Sequence, residues 1–173
     1  MHIPFSTTAC RAAGIAIAAI TCGVVSAEPV STGSDAERLL SALEEWLDQN
    51  SAYARPPSAP TIRVIPPAIA ADLAGGLEAG HLGRLRGLFD PETSTIYLVS
   101  PWDVSDPEDV SVLLHELVHH RQAKQHWYCP AEQEWDAYKL QAAWLTELGI
   151  KPDFYWPAIL LSASCGPRDV HPG

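Results

Sequence analysis

Apolar positions along the chain switch between helical and strand spacing, and the switches mark out the elements. Leu39, Leu40, Leu43, Trp46 and Leu47 recur at helical intervals and predict one stripe of a short helix. Ser34, with Glu37 three residues later, forms a capping box that would start it. Pro56, Pro57 and Pro60 end the segment and lead into Thr61-Ile62-Arg63-Val64-Ile65, a strand stopped by Pro66-Pro67. Residues 68–83 are rich in Ala and Gly and suggest a short helix followed by a loop. Leu85 to Phe89 and Thr95 to Val99 read as two short strands, joined by the turn-forming Asp90-Pro91-Glu92-Thr93-Ser94.

The second half is helical. Asp106-Pro107-Glu108-Asp109 combines a capping Asp, a first-turn Pro and acids at the positive end, starting a helix that runs to about Ala123. Val110, Leu113, Leu114, Leu117 and Val118 make its apolar stripe, with His115, Glu116 and His119 on the other side. A second helix opens at Cys129-Pro130, continues to Leu148 and is closed by Gly149 and Pro152. Residues 153–163 suggest one more short helix.

On the second of these helices Glu134, Ala137, Tyr138, Gln141, Leu145 and Leu148 share a face, which is mostly small or apolar and should pack inward. Glu132, Asp136, Lys139 and Glu147 fall on the other, solvated side. A carboxylate on an inward stripe is expensive unless something pairs with it, so Glu134 calls for a cation.

Composition changes this picture at three points. Met1 to Val25 has one Arg at position 11 and then an apolar run, and Val25-Ser26-Ala27 offers small residues for cleavage. Residues 1–27 therefore read as a signal peptide and 28–173 as one domain, exported to a periplasm or out of the cell. An uncleaved anchor is the alternative; no later stretch is apolar for long enough to span a bilayer, so no stable membrane insertion is expected after cleavage. The formal charge of −10, with no cluster of Lys and Arg, excludes nucleic acid as a natural partner. Of the four Cys, Cys129 and Cys165 lie beyond the signal, and in an exported chain they most simply form one disulfide.

His115-Glu116-Leu117-Val118-His119 spells HExxH. On a helix the two His lie one turn apart, so both imidazoles can reach a single ion. Glu116 projects to the flank of that pair, where it can polarise a water without being a ligand. Neutral imidazoles suit zinc. His120 points away from the pair and reads as a supporting or surface residue. His81 and His171 read as loop residues, and Trp102, Trp127, Trp135, Trp144 and Trp156 as core and rim aromatics.

HExxH followed by Glu134-Trp135-Asp136-Ala137 resembles the gluzincin metallopeptidases, whose pattern is HExxH and a downstream ExxA. The resemblance covers about residues 95–141. It implies that His115, His119 and Glu134 hold one Zn2+ ion, that Glu116 is the catalytic base, and that the substrate is a peptide or protein. It also implies a strand that aligns the substrate, for which Thr95–Val99 is the candidate. His126, Tyr138 and Tyr155 are candidate stabilisers of the oxyanion such enzymes develop. Three departures stand out: Tyr138 occupies the place where many relatives carry an Asp that orients a ligand His, Gln133 replaces the Asn that precedes the ligand Glu in the thermolysin branch, and the spacer from His119 to Glu134 is short.

The expectation is thus a small exported α+β domain of minimal zincin-like form, with a short sheet, an active helix and a second helix supplying a Glu ligand. It would hydrolyse peptide bonds with a water activated by Glu116. Two other readings use the same residues differently: a non-catalytic zinc-stabilised binding protein, and an interaction domain with an accidental HExxH.

Overall fold

The computed structural model describes residues 32–75, 85–129 and 131–165. The expected signal peptide, its cleavage site, His81 and His171 lie outside the described residues. Five helices and three strands follow in the order α1 (Thr32–Asn50), β1 (Thr61–Ile65), α2 (Pro67–Leu73), β2 (Gly87–Asp90), β3 (Thr95–Val99), α3 (Pro107–Gln122), α4 (Glu132–Glu147) and α5 (Trp156–Ser162). The class is α+β. Among these helices none is long and apolar enough to cross a membrane.

The sheet has the order β1-β3-β2. β1 runs parallel to β3, pairing Thr61 with Thr95 through Ile65 with Val99, and β2 runs antiparallel to it, pairing Gly87 with Leu98 through Asp90 with Thr95. Thr95–Val99 is therefore the central strand, and the expectation that it aligns a substrate is corrected. Its backbone is already paired on both sides, while β2 is an edge. The β2–β3 connection turns on Asp90, whose carboxylate accepts from the Glu92 amide at 2.9 Å and the Thr93 hydroxyl at 2.6 Å, and Ser94 takes a positive φ of 52°.

α3 is the centre of the molecule. Asp106 caps it as the sequence suggests, accepting from the Glu108 amide at 2.9 Å. Leu113, Leu114, Leu117 and Val118 meet Leu43 and Leu47 of α1, Ile96 and Leu98 of β3, and Ala137 of α4 in one core. An amphipathic surface helix would leave its polar side in water; here His115, Glu116, His120, Arg121 and Gln122 are buried as well. α4 covers that side. It ends as its sequence implies: Gly149 has φ 76°, the Ile150 amide bonds to the Leu145 carbonyl at 2.9 Å and the Gly149 amide to that of Thr146 at 2.9 Å. Leu148, expected to face inward, is 51% exposed because the helix has already ended there.

Two long-range ties hold the helices together. Cys129 and Cys165 form the expected disulfide across 36 residues, linking the approach to α4 with the end of α5. Loop closure of that length is worth about 4 kcal/mol in a chain-entropy account. The second tie escaped the sequence reading. Arg121 of α3 donates to the Glu44 carboxylate, to the Glu44 carbonyl at 2.8 Å, to Asp48 at 2.8 Å and to the Tyr53 carbonyl at 3.1 Å. Its side chain is 1% exposed, so its charge depends on these partners.

Removing one half of that pair strands the other in the interior. Glu44→Ala or Arg121→Met alone should cost about 3–5 kcal/mol, measured by urea denaturation. The double variant Glu44→Leu/Arg121→Met should recover much of the loss, and additive losses would show that the two charges do not depend on each other.

Candidate metal centre

His115 and His119 lie one helical turn apart on the polar side of α3, and the first turn of α4 brings Glu134 against both. Each residue offers one ligand atom, and these atoms all lie within 4.8 Å of one another. The Nε2 atoms of the two His are 3.1 Å apart; His115 Nε2 lies 3.3 Å from one Glu134 oxygen and His119 Nε2 lies 3.4 Å from the other. Ligands bound tetrahedrally at zinc distances are separated by about 3.3–3.4 Å. The three side chains are close enough to share one ion, and a set of two imidazoles and a carboxylate suits zinc chemically.

The electrostatics also ask for positive charge. Burial would raise the Glu134 pKa, but the His115 and His119 imidazoles beside it hold this carboxylate well below its usual range. Burial opposes protonation of His119, yet Glu134 and Glu116 overcome it and raise its pKa above the ordinary 6.5. The helix termini act in the same direction: His119 sits in the last turn of α3, where the dipole favours cations, and Glu134 in the first turn of α4, where it favours an anion.

Glu116 borders the cluster without belonging to it. Burial pushes its carboxyl pKa up; His115 and His119 counteract this and Glu134 adds to it. Its environment has a second author in β2. A Cβ on Gly87 would stand 2.5 Å from Glu116 Oε1, 2.9 Å from its Cγ and 2.9 Å from Val112 Cγ1. The edge strand therefore approaches α3 as closely as it does only because Gly87 has no side chain.

Both imidazoles of the cluster are held from behind by amides. His115 Nδ1 lies 3.1 Å from Gln141 Oε1, and His119 Nδ1 lies 3.0 Å from Gln122 Oε1. The sequence reading left these partners unassigned. The signal was there, since an amide on the inward face of α4 needs a partner as a carboxylate does, and Gln141 lies two turns from Glu134. Gly87 had no such signal, because its role depends on how near β2 comes to α3.

The cluster opens into a cleft of about 1230 Å³ between β2 on one side and α4 and α5 on the other. Tyr138 lines it, half-buried, its ring edge-on to His115 with centroids 4.5 Å apart. Burial raises its pKa, with Glu134 and Glu116 adding to the effect. Tyr155 also lines the cleft but is 73% exposed, so it belongs to the rim. His126 is exposed and is not among the residues that line the cleft.

Other residues fall away from the centre. The Glu132 carboxylate accepts from the Tyr128 amide at 3.1 Å. Asp136 accepts from the Tyr53 hydroxyl at 2.5 Å and pairs with Lys139 at 2.7 Å, on the side away from the ligands as expected. His120 is not a surface residue: it is 5% exposed and packs edge-on against Phe89 at 5.6 Å, because the last turn of α3 is enclosed on that side too.

A family model described as "Domain of unknown function (DUF6647)" matches residues 32–173. No curated protein and no solved structure matches the chain.

Protons compete with a metal for the same Nε2 atoms. Because the His119 pKa is raised above 6.5, its protonated form already competes at pH values above 6.5 as the pH is lowered. Zinc affinity, read by competition with a chromophoric chelator, should therefore begin to fall before the pH reaches 6.5. An affinity flat down to pH 5.5 would contradict the ligand assignment.

Proposed function

We propose that this chain, which belongs to the DUF6647 family, is an exported zinc-dependent hydrolase, most simply a peptidase of zincin-like form. One observation carries the reading: two imidazoles and a carboxylate converge at ligand spacing, with a second carboxylate buried beside them and a cleft in front. His115, His119 and Glu134 would hold the ion. Zinc bound there would supply Lewis acidity and would make a water nucleophilic near neutral pH.

The chain's own residues supply the rest. Glu116 takes the proton from the attacking water on its carboxylate and passes it to the nitrogen of the leaving amine. Burial raises its pKa towards the range in which a base works near neutral pH. Tyr138, beside His115 in the cleft, is the best situated of the three candidates for steadying charge on the carbonyl oxygen. A peptide substrate is supported by β2, which lines the cleft and, among the described residues, has no strand on its outer side. An extended chain could pair with such an edge. Export is supported by the signal-like start and by the disulfide, which fits an oxidising compartment.

One observation favours a second reading, a zinc-stabilised binding protein without turnover: Glu116 is only 6% exposed, with Gly87 pressed against it. Purified residues 28–173 should be assayed for zinc content and for cleavage of a peptide library. Glu116→Gln should keep the metal and lose about 100-fold or more of the hydrolysis; retained turnover would remove Glu116 from the mechanism. Glu134→Ala should lose most of the zinc. Zinc with no cleavage by the parent protein would favour the binding reading, and no zinc at all would end both.

Gly87→Ala tests the close approach of β2. The added methyl must displace the Glu116 carboxylate, so hydrolysis should fall several-fold or more with zinc content unchanged, and unaltered turnover would show that Glu116 has room to yield.

A further inference from the structure

The amides behind the two histidines are themselves held from behind. Gln141 Nε2 lies 2.9 Å from the Ser111 hydroxyl, and that hydroxyl donates to the Glu108 carbonyl at 2.6 Å. Gln122 Nε2 donates to the Gln133 carbonyl at 3.2 Å. A backbone carbonyl can only accept, so each series of bonds has a direction. With its proton given to Glu108, Ser111 accepts from the Gln141 amide nitrogen, which turns Gln141 Oε1 towards His115. The Gln133 carbonyl likewise turns Gln122 Oε1 towards His119. An amide oxygen facing a ring nitrogen requires that nitrogen to carry the hydrogen.

We infer that Gln141 and Gln122 are positioning residues that hold His115 and His119 as Nδ1–H tautomers, leaving both Nε2 lone pairs bare and converging with Glu134. The inference deepens the metal-site reading and rests on it for its purpose. Two bare lone pairs 3.1 Å apart, both facing the Glu134 carboxylate, repel their surroundings unless a cation stands among them. Orienting residues behind a ligand His are commonly carboxylates or backbone carbonyls. Here both are neutral amides, both buried, Gln141 at 6% and Gln122 at 0% exposure. Tyr138, standing where related motifs carry an orienting Asp, meets His115 ring against ring in a T-shaped contact. The work of orientation has moved one turn along α4, to Gln141.

Neutral amides fix the ring and its tautomer without adding anionic charge to the centre. The charge assigned to it is then that of the Glu134 carboxylate alone, with Glu116 beside it. This would leave a bound divalent ion more electrophilic than a centre whose imidazoles are backed by carboxylates.

The tautomer can be read without metal or turnover. Long-range 1H–15N correlation spectra of the metal-free protein at alkaline pH should show the Nδ1–H pattern for both His115 and His119. An Nε2–H pattern at either residue in the parent protein would overturn the inference there. That pattern would mean the reverse arrangement, with the glutamine nitrogen facing the ring. Gln141→Leu should release His115 alone and Gln122→Leu His119 alone, each lowering zinc affinity about 10–100-fold. Gln141→Glu, which keeps an acceptor of nearly the same shape, should hold the His115 pattern and retain affinity. Unchanged tautomers and unchanged affinity in both Leu variants would assign the amides a packing role only. If a Leu variant does not fold, the parent spectrum and the Glu variant still decide. A parent protein with both Nδ1–H patterns but no affinity for zinc would leave the positioning assignment standing and defeat the proposed function instead.

Discussion

A helix buried along most of its circumference must satisfy most of its polar face from inside the protein, and α3 is such a helix. Its apolar stripe packs on α1 and β3, as any amphipathic helix would arrange. Its other side carries His115, Glu116, His119 and Gln122, and α4 covers that side except where the cleft opens onto it. Burial of groups like these is tolerated only if each meets a partner, so α4 must bring complementary chemistry as well as shape. It brings Glu134 to the two imidazoles, Gln141 to the back of one of them, and the Gln133 carbonyl to the amide behind the other. Among the described residues, the one fully buried polar side-chain atom without a hydrogen-bond partner is His120 Nδ1, on the same helix.

The remaining architecture keeps α3 and α4 in register. The Arg121 cluster anchors the end of α3 to α1 and to the loop at Tyr53, so the ligand-bearing turn cannot slide without separating buried charges. The disulfide fixes the approach to α4 against the end of α5. α5 and the segment leading into it contribute a wall of the cleft, where Phe154 packs on Tyr138 in a T-shaped contact with ring centroids 5.4 Å apart. From the other side β2 leans on Glu116 through a residue with no side chain. Three separate elements thus limit the movement of Glu116 and of the His115, His119 and Glu134 side chains, so their arrangement is preformed.

Periodicity and punctuation made much of the fold legible. Asp106-Pro107 started a helix, Gly149 ended one, and Thr61–Ile65 and Thr95–Val99 formed strands, because caps, turns and alternation act within a few residues. The cluster of two imidazoles and a carboxylate was legible for a related reason. HExxH fixes two donors within one turn, and Glu134 stood out because a carboxylate on an inward face needs a cation. Gln141 lay on that same face and carried the same kind of signal, though its neutrality made it easier to pass over. Sheet order was not legible: strand spacing does not say which strand lies in the middle, and Thr95–Val99 became central only because β1 and β2 pair on its two sides.

By itself, then, the sequence determined the elements, the α+β class, the disulfide and the identity of the groups able to share a cation. Each of these follows from covalent spacing along a helix or strand, or from residue chemistry that needs a particular kind of partner. Only the tertiary structure decided that α4 would cover most of the polar side of α3, which amides would stand behind the histidines, and that Gly87 would press on Glu116. It also decided that Arg121 would find Glu44, 77 residues away. These depend on distances between elements remote in sequence, which packing of the whole core sets and local pattern does not encode.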